Sequence, residues 1–405
     1  MPALLPFRAL RPSKEVIGKF TAKSSDFRTT DEIVAEMKAH PDNYYYITKH
    51  HLLEESSKPP EHFFPLSAKY IQEKEKAGIL LRDKVPSYYV YRQIDHDTAR
   101  NYTGIIGLVD VIDIENNVVK KHELTKVVRE EYLYKHLHET GILGEPVLIG
   151  HQHSPIIDEL ISTAMAKEPE YDFRTIDHKE HVLWLINTSE DLEKMAEEFM
   201  NMPAFYIADG HHRCASAVRN YHRNKNAANR FMMVYILDEN QFHIDSFHRL
   251  LSEVPKDDLL DLNKKLEANF DVENYVEGEL YKPLKHSEFG LLTRDFSLKL
   301  TLKKQPHTSN PEAQLDVSIL ESKFFKPILD INHPRTDHRL SYISSQEPFS
   351  DIKRLLDNRE IDIIVSNFPI SFEEVKKVAD ANKTMPPKST YIEPKLRGGM
   401  VIQKF

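Results

Sequence analysis

Ala204-Phe205-Tyr206-Ile207-Ala208-Asp209-Gly210-His211-His212-Arg213-Cys214 is the stretch whose reading decides the fold of this chain. Its first five residues are apolar, aromatic and β-branched enough to read as a buried strand. Beyond the turn, Cys214, Ala217, Val218 and Tyr221 recur at helical spacing. Asp-Gly is a turn dipeptide, and glycine lets a backbone bend sharply or approach a ligand closely. An acid, two imidazoles and a guanidinium are therefore set where a strand hands over to a helix. The first N–H groups of a helix favour an anion, phosphate above all, and Arg213 can add a bidentate grip on the same oxygens. The plainer reading is a structural turn with Asp209 capping the helix. The abrupt switch from apolar to charged residues favours a phosphate-handling site.

Outward from this stretch, residues 182–186 read as a strand and Thr188 or Ser189 as the cap of a helix over 192–200. After the motif helix, residues 231–237 and 241–247 predict a hairpin across Asp238-Glu239-Asn240. The order β-α-β-α-β-β indicates a mixed α/β domain. Neither Gly-x-Gly-x-x-Gly nor a Gly-x-x-x-x-Gly-Lys-Ser/Thr loop is present. Upstream, 88–92 and 102–112 flank a polar turn as a hairpin would, followed by helices over 130–138 and 155–166 and a strand at 145–149. Earlier still, the pattern predicts a helix over 30–39, a strand over 44–48 and a charged helix over 67–81. Downstream come a half-exposed strand at 296–302, a helix over 316–325 capped by Asp316, a buried strand at 361–365, and a helix with the capping box Ser371 and Glu374. Met385-Pro386-Pro387-Lys388-Ser389-Thr390 reads as a rigid loop, because two prolines forbid a helix. Glu393 and Lys395 lie just beyond it. Three regions are expected: 1–85, a core over 86–250 that carries the motif, and 251–405.

The 405 residues suffice for two or three domains. A hydrophobic share of 40% and a charged share of 29% suit a globular protein in water. A lone cysteine, Cys214, excludes an intramolecular disulfide and fits a reducing compartment. No stretch reads as a signal peptide or membrane span, so the expectation is a cytoplasmic protein with no membrane partner. A net charge of −9 argues against broad attachment to nucleic acid. Most of the 21 histidines stand singly among polar residues and read as surface groups.

Several blocks resemble the bacterial and archaeal family catalogued as domain of unknown function 1015. They are Pro6-Phe7-Arg8-Ala9-Leu10-Arg11-Pro12, Lys120-Lys121-His122-Glu123, Tyr206 through Arg213, Leu315-Asp316-Val317-Ser318-Ile319-Leu320, and the Met385 to Thr390 loop, in family order. The Asp-Gly-His-His-Arg motif also resembles that of the free-serine kinases of the ParB and sulfiredoxin-like superfamily. This second resemblance implies a ParB/sulfiredoxin-like core with further mixed α/β elements at both ends. It also implies phosphoryl transfer, with the turn and Arg213 on phosphate and a carboxylate from a His-Glu element, here His122-Glu123, as base. Two departures stand out. Ser24-Ser25-Asp26 replaces a usual Pro-Tyr-Asp, and Lys126-Val127-Val128-Arg129 replaces an acidic run.

Phosphoryl transfer is mostly positioning and charge neutralisation, and that sets the roles expected of these residues. Gly210, His211 and His212 would offer backbone N–H groups, and Arg213 its guanidinium, to ATP or ADP carried with Mg2+. Asp209 would orient the nucleophile or hold the magnesium, a hard cation that prefers oxygen. Asp209, His212 and Glu123 make up the catalytic set, with Glu123 as general base. His122 and Thr125 would meet the substrate, a small hydroxyl metabolite with serine the first to try, while Lys388 and Ser389 close the site. Plainer roles stand beside these: a solvated face for Glu123, a tether for the Lys388 loop, a packed small residue for Cys214. Two rival functions are a non-catalytic nucleotide- or phosphate-binding regulator and a metal-dependent hydrolase. Adjacent histidines rarely converge on one metal, and no His-Glu-x-x-His is present. Self-association is left open.

Overall fold

A computed structural model of the chain describes residues 1–25, 28–54 and 57–405. Asp26, the one residue matching the family at its Pro-Tyr-Asp position, lies outside the described residues. The chain divides into two compact units, the first of residues 1–121, 125–242 and 394–405, the second of residues 122–124 and 243–393. Both units are mixed α/β, which is the fold class expected from the order of elements.

An eight-stranded sheet organises the first unit. Its strands in chain order are β1 (Tyr88–Asp95), β2 (Arg100–Asp110), β3 (Val119–Lys120), β4 (Val147–His151), β5 (Tyr171–Arg174), β6 (Lys179–Ile186), β7 (Phe205–Asp209) and β8 (Phe231–Asp238). Across the sheet they run β3-β7-β4-β8-β2-β1-β6-β5. The predicted β1-β2 hairpin is present, with Tyr89 opposite Ile106. β8 is apolar almost throughout because it is central: it pairs parallel with β4 and antiparallel with β2, and both its faces are covered. Its predicted hairpin partner is not there. Asp238 accepts the Asn240 N–H and turns one short helix, and the chain then enters the second unit, where His243–Asp245 pairs with Tyr391–Glu393. The local turn signal at Asp238 is real, but the strands that pair on either side of it lie far away in sequence.

The longer helices of this unit include α1 (Val127–Thr140), α2 (Pro155–Met165), α3 (Ser189–Met200) and α4 (His211–Asn224). Thr188 caps α3 by accepting the Asp191 N–H, as its position predicts. α4 lays Cys214 and Ala217 into the core with Ile149, Phe205, Ile207 and Val234, and Val218 and Tyr221 pack at its margin. That is the face its spacing predicts. Residues 45–48 depart from expectation by forming one helical turn, Tyr45–Thr48. Asn43 Oδ1 accepts the Tyr45 N–H, and Tyr45 and Ile47 are buried together, so packing overrides the strand preference of these residues.

The second unit is built on a six-stranded sheet comprising β9 (Phe247–Leu251), β10 (Phe270–Asn274), β11 (Glu288–Leu292), β12 (Ser297–Leu302), β13 (Leu340–Ser344) and β14 (Ile363–Asn367). The order is β10-β12-β11-β14-β9-β13, all neighbours antiparallel. The predicted capping box is formed: Ser371 accepts the Glu374 N–H and Glu374 accepts the Ser371 N–H at the head of Phe372–Asp380. Asp316 does not cap the helix Asp316–Leu320. It is buried and accepts the Ser287 N–H at 2.9 Å, so a tertiary contact takes the carboxylate that the local pattern assigned to the helix. Among the described residues no helix is long and apolar enough to cross a membrane.

Candidate phosphate-handling site

β7 reaches the motif through a bulge. Ile207 pairs with Ile149 but Asp209, not Ala208, pairs with Leu148, so one extra residue is inserted just before the turn. Bulges re-aim side chains next to functional sites. Gly210 then adopts φ 100°, ψ 25°, a left-handed conformation that costs an L-residue strain, and the helical ladder begins with Cys214 donating to the Gly210 carbonyl at 3.1 Å. No side chain caps this helix start, and its first turn contains no acid. The reading of Asp209 as a cap is therefore corrected: glycine occupies the capping position, and the aspartate turns elsewhere.

It turns to Lys395. The Lys395 ammonium donates to Asp209 Oδ2 at 2.9 Å, brought there by the last twelve residues of the chain, which return to this unit. Burial pushes the Asp209 carboxyl up, but the charges of Lys395 and Arg213 and the Lys395 hydrogen bond outweigh it and hold the group well below the usual carboxylate range. Its side chain keeps 43% of its surface open, so water screens part of that field. In the sequence Lys395 is only a residue beyond the proline loop; nothing in its spacing points to Asp209.

Arg213 folds back along the start of α4. A Cβ at position 210 would lie 3.1 Å from both Arg213 Nε and Nη2. Its Nη1 donates to the Pro146 carbonyl at 2.8 Å and stands 3.7 Å from Glu145 Oε2. The guanidinium is thus held at the turn by the segment leading into β4. His211 is buried at the start of α4, and His212 is half-buried and bears on the Glu130 carboxylate of α1. That carboxylate also accepts from Thr125 Oγ1 and from Arg219 of α4. Burial pushes Glu130 up, and Thr125, Arg219 and His212 together bring it below its ordinary range. Lys120 lies 5.8 Å from the centre of the Tyr206 ring. The Cys214 thiol is buried and pushed up to about 12, which fits a packing role.

Of the other residues the sequence singles out, Thr125 belongs to this first unit, and His122, Glu123, Lys388 and Ser389 belong to the second. Within the second unit two family blocks meet: the Met385 N–H donates to the His122 carbonyl at 2.8 Å. The proline loop is held in place by arginines. Arg335 donates to the Met385 carbonyl at 3.1 Å, and the buried Arg249 donates to the Lys388 carbonyl and to Asn367 Oδ1. Lys388 sits at φ 52°, its ammonium 5.2 Å from the Phe247 ring centre, while Ser389 Oγ donates to the Pro386 carbonyl. Sequence reasoning misses Arg249 and Arg335, which lie in unremarkable surroundings.

As a magnesium ligand, Asp209 offers an ionised, partly open carboxylate with one oxygen engaged by Lys395. A single carboxylate suits magnesium that arrives on a nucleotide's phosphates. Among the described residues, the group of three side chains spaced to hold a metal by themselves is His153, Asp158 and Asp238, and it contains none of Asp209, His211 and His212.

The family model described as a protein of unknown function, DUF1015, matches residues 4–318. No curated protein matches the chain. Solved structures that are similar in part include the following. A variant of a free serine kinase in complex with ADP is 12% identical, with a TM-score of 0.38 over 73% of this chain and 92% of that one. SbnI with a C-terminal truncation, from Staphylococcus aureus, is 12% identical with a TM-score of 0.39 over 73% and 85%. A conserved hypothetical protein from Pyrococcus furiosus is 14% identical with a TM-score of 0.33 over 71% and 90%.

Proposed function

The chain belongs to the DUF1015 family, and from that premise we propose that it is a nucleotide-dependent phosphotransferase acting on a small hydroxyl metabolite, serine being the first acceptor to test. The observation that carries the reading is the start of α4. It is headed by a left-handed glycine, lacks a side-chain cap, and has His-His-Arg rather than acids in its first turn. Basic groups at a helix N-terminus oppose the macrodipole, and an anion bound there relieves both.

In this scheme the N–H groups of the first turn and the Arg213 guanidinium take the phosphates, a bidentate arrangement suited to planar nitrogen donors. Lys395 keeps Asp209 ionised, so that the carboxylate can orient a hydroxyl or take a magnesium ion; such an ion would neutralise charge on the transferring group. The roles of Glu123 as base, of His122 and Thr125 toward substrate, and of Lys388 and Ser389 toward phosphate are carried over from the resemblance.

Isothermal titration with ATP, ADP and CTP, each with magnesium, is the deciding experiment. Arg213→Ala is expected to weaken nucleotide binding at least about tenfold, or about 1.4 kcal/mol. Glu123→Gln is expected to leave that affinity in place and abolish transfer to serine or a related hydroxyl compound. Binding without turnover in the unaltered protein would favour a regulatory nucleotide-binding role. No binding of any nucleotide would refute the phosphotransferase.

A further inference from the structure

β7 and β4 are antiparallel, so the motif at Asp209 lies beside Leu148 near the start of β4. The far end of β4 is different ground. There β4 and β8 run parallel, with His151 opposite Asp238 at their carboxyl ends, and α2 begins after a three-residue link, Gln152 to Ser154. In α/β sheets the carboxyl ends of parallel strands are a recurrent place for ligands.

Three side chains from three elements converge there. His153 in the β4-α2 link places Nδ1 2.6 Å from Asp238 Oδ2 and 3.7 Å from Asp158 Oδ2, in the first turn of α2. One ligand atom of each lies within 4.8 Å of the others. Two carboxylates thus face one imidazole, and among the described residues neither carboxylate has a lysine or arginine within ion-pair distance. Asp238 is the telling member. Its side chain is only 9% exposed, and its remaining oxygen is fixed by the Asn240 N–H. A buried carboxylate needs a compensating charge.

We propose that His153, Asp158 and Asp238 bind one divalent transition-metal ion, at the end of β4 opposite the motif. One imidazole nitrogen and two carboxylate oxygens match the preferences of zinc, for which cobalt serves as the spectroscopic probe, better than those of magnesium or calcium, which favour all-oxygen sets. Ligand bonds of about 2.0–2.2 Å to a common centre would draw the Asp158 and Asp238 oxygens together and open the His153–Asp238 contact. The ion would stand between the His153 imidazole and the Asp238 carboxylate, which now face one another directly.

The test uses the full chain, stripped with a chelator and titrated with Co2+, then with Zn2+ in competition. Visible absorption reports Co2+ coordination, and equilibrium dialysis counts bound ions. The unaltered protein is expected to bind one more equivalent of Co2+ than His153→Gln or Asp158→Asn, with the absorption lost in both variants and retained in Asp209→Asn. Circular dichroism checks that each variant is folded. Equal stoichiometry and equal spectra in the unaltered protein and both variants would overturn the proposal, as would loss of the site in Asp209→Asn alone.

Discussion

The helix Phe372–Asp380 and the helix His211–Asn224 begin in opposite ways. The first has a complete capping box from Ser371 and Glu374, with Glu373 and Glu374 in its first turn, so its orphan N–H groups and its dipole are both satisfied from within. The second starts from a left-handed glycine, with no side-chain cap and two histidines and an arginine where acids would be favourable. Both helices follow a buried strand and both pack an apolar face, so the fold does not require the difference. One start is built for stability. The other forgoes local stabilisation and sets two imidazoles and one guanidinium in its first turn; the proposed anion would complement that start.

Three substitutions probe this contrast, from the largest expected effect to the smallest. Gly210→Ala should strike both stability and binding. Its left-handed φ costs an alanine about 1–3 kcal/mol, and the new Cβ would crowd the Arg213 guanidinium. Denaturant unfolding should report the first effect, and a loss of nucleotide affinity of about tenfold or more the second. An unchanged affinity would mean that the turn does not hold phosphate. Ser371→Ala should cost about 1 kcal/mol of stability through the lost cap and leave nucleotide affinity untouched; a change in affinity would erase the distinction between the two starts. The smallest effect is expected at Cys214, just inside α4. With its thiol pushed up to about 12 and buried, it should not react measurably with a thiol reagent at pH 8 until denaturant is added. Rapid reaction of the native protein would show that the start of α4 opens far more readily than its packing implies.

Legibility in the sequence tracks the range of the interactions. Cues whose partners are a few residues apart are legible: the Ser371 box, the Thr188 cap, the β1-β2 hairpin, and the strand, glycine and helix of the motif with its buried face of Cys214 and Ala217. Local patterns mislead where they have a distant competitor. Residues 45–48 have strand-forming side chains but are held helical by burial. Asp316 has the place of a cap but is taken by Ser287. The turn at Asp238 has hairpin chemistry, yet β8 finds its partners in β4 and β2.

By itself, then, the sequence determined the mixed α/β class and the chemistry offered at Asp209 to Arg213, because propensity, capping and turn geometry act within a few residues. Only the tertiary structure decided the strand order, brought Lys395 across 186 positions to Asp209, set the Met385 loop on His122, and assembled His153, Asp158 and Asp238 from three elements. Those contacts are specified by which buried surfaces fit together over the whole chain, and such fits leave no periodic trace in the residues that make them.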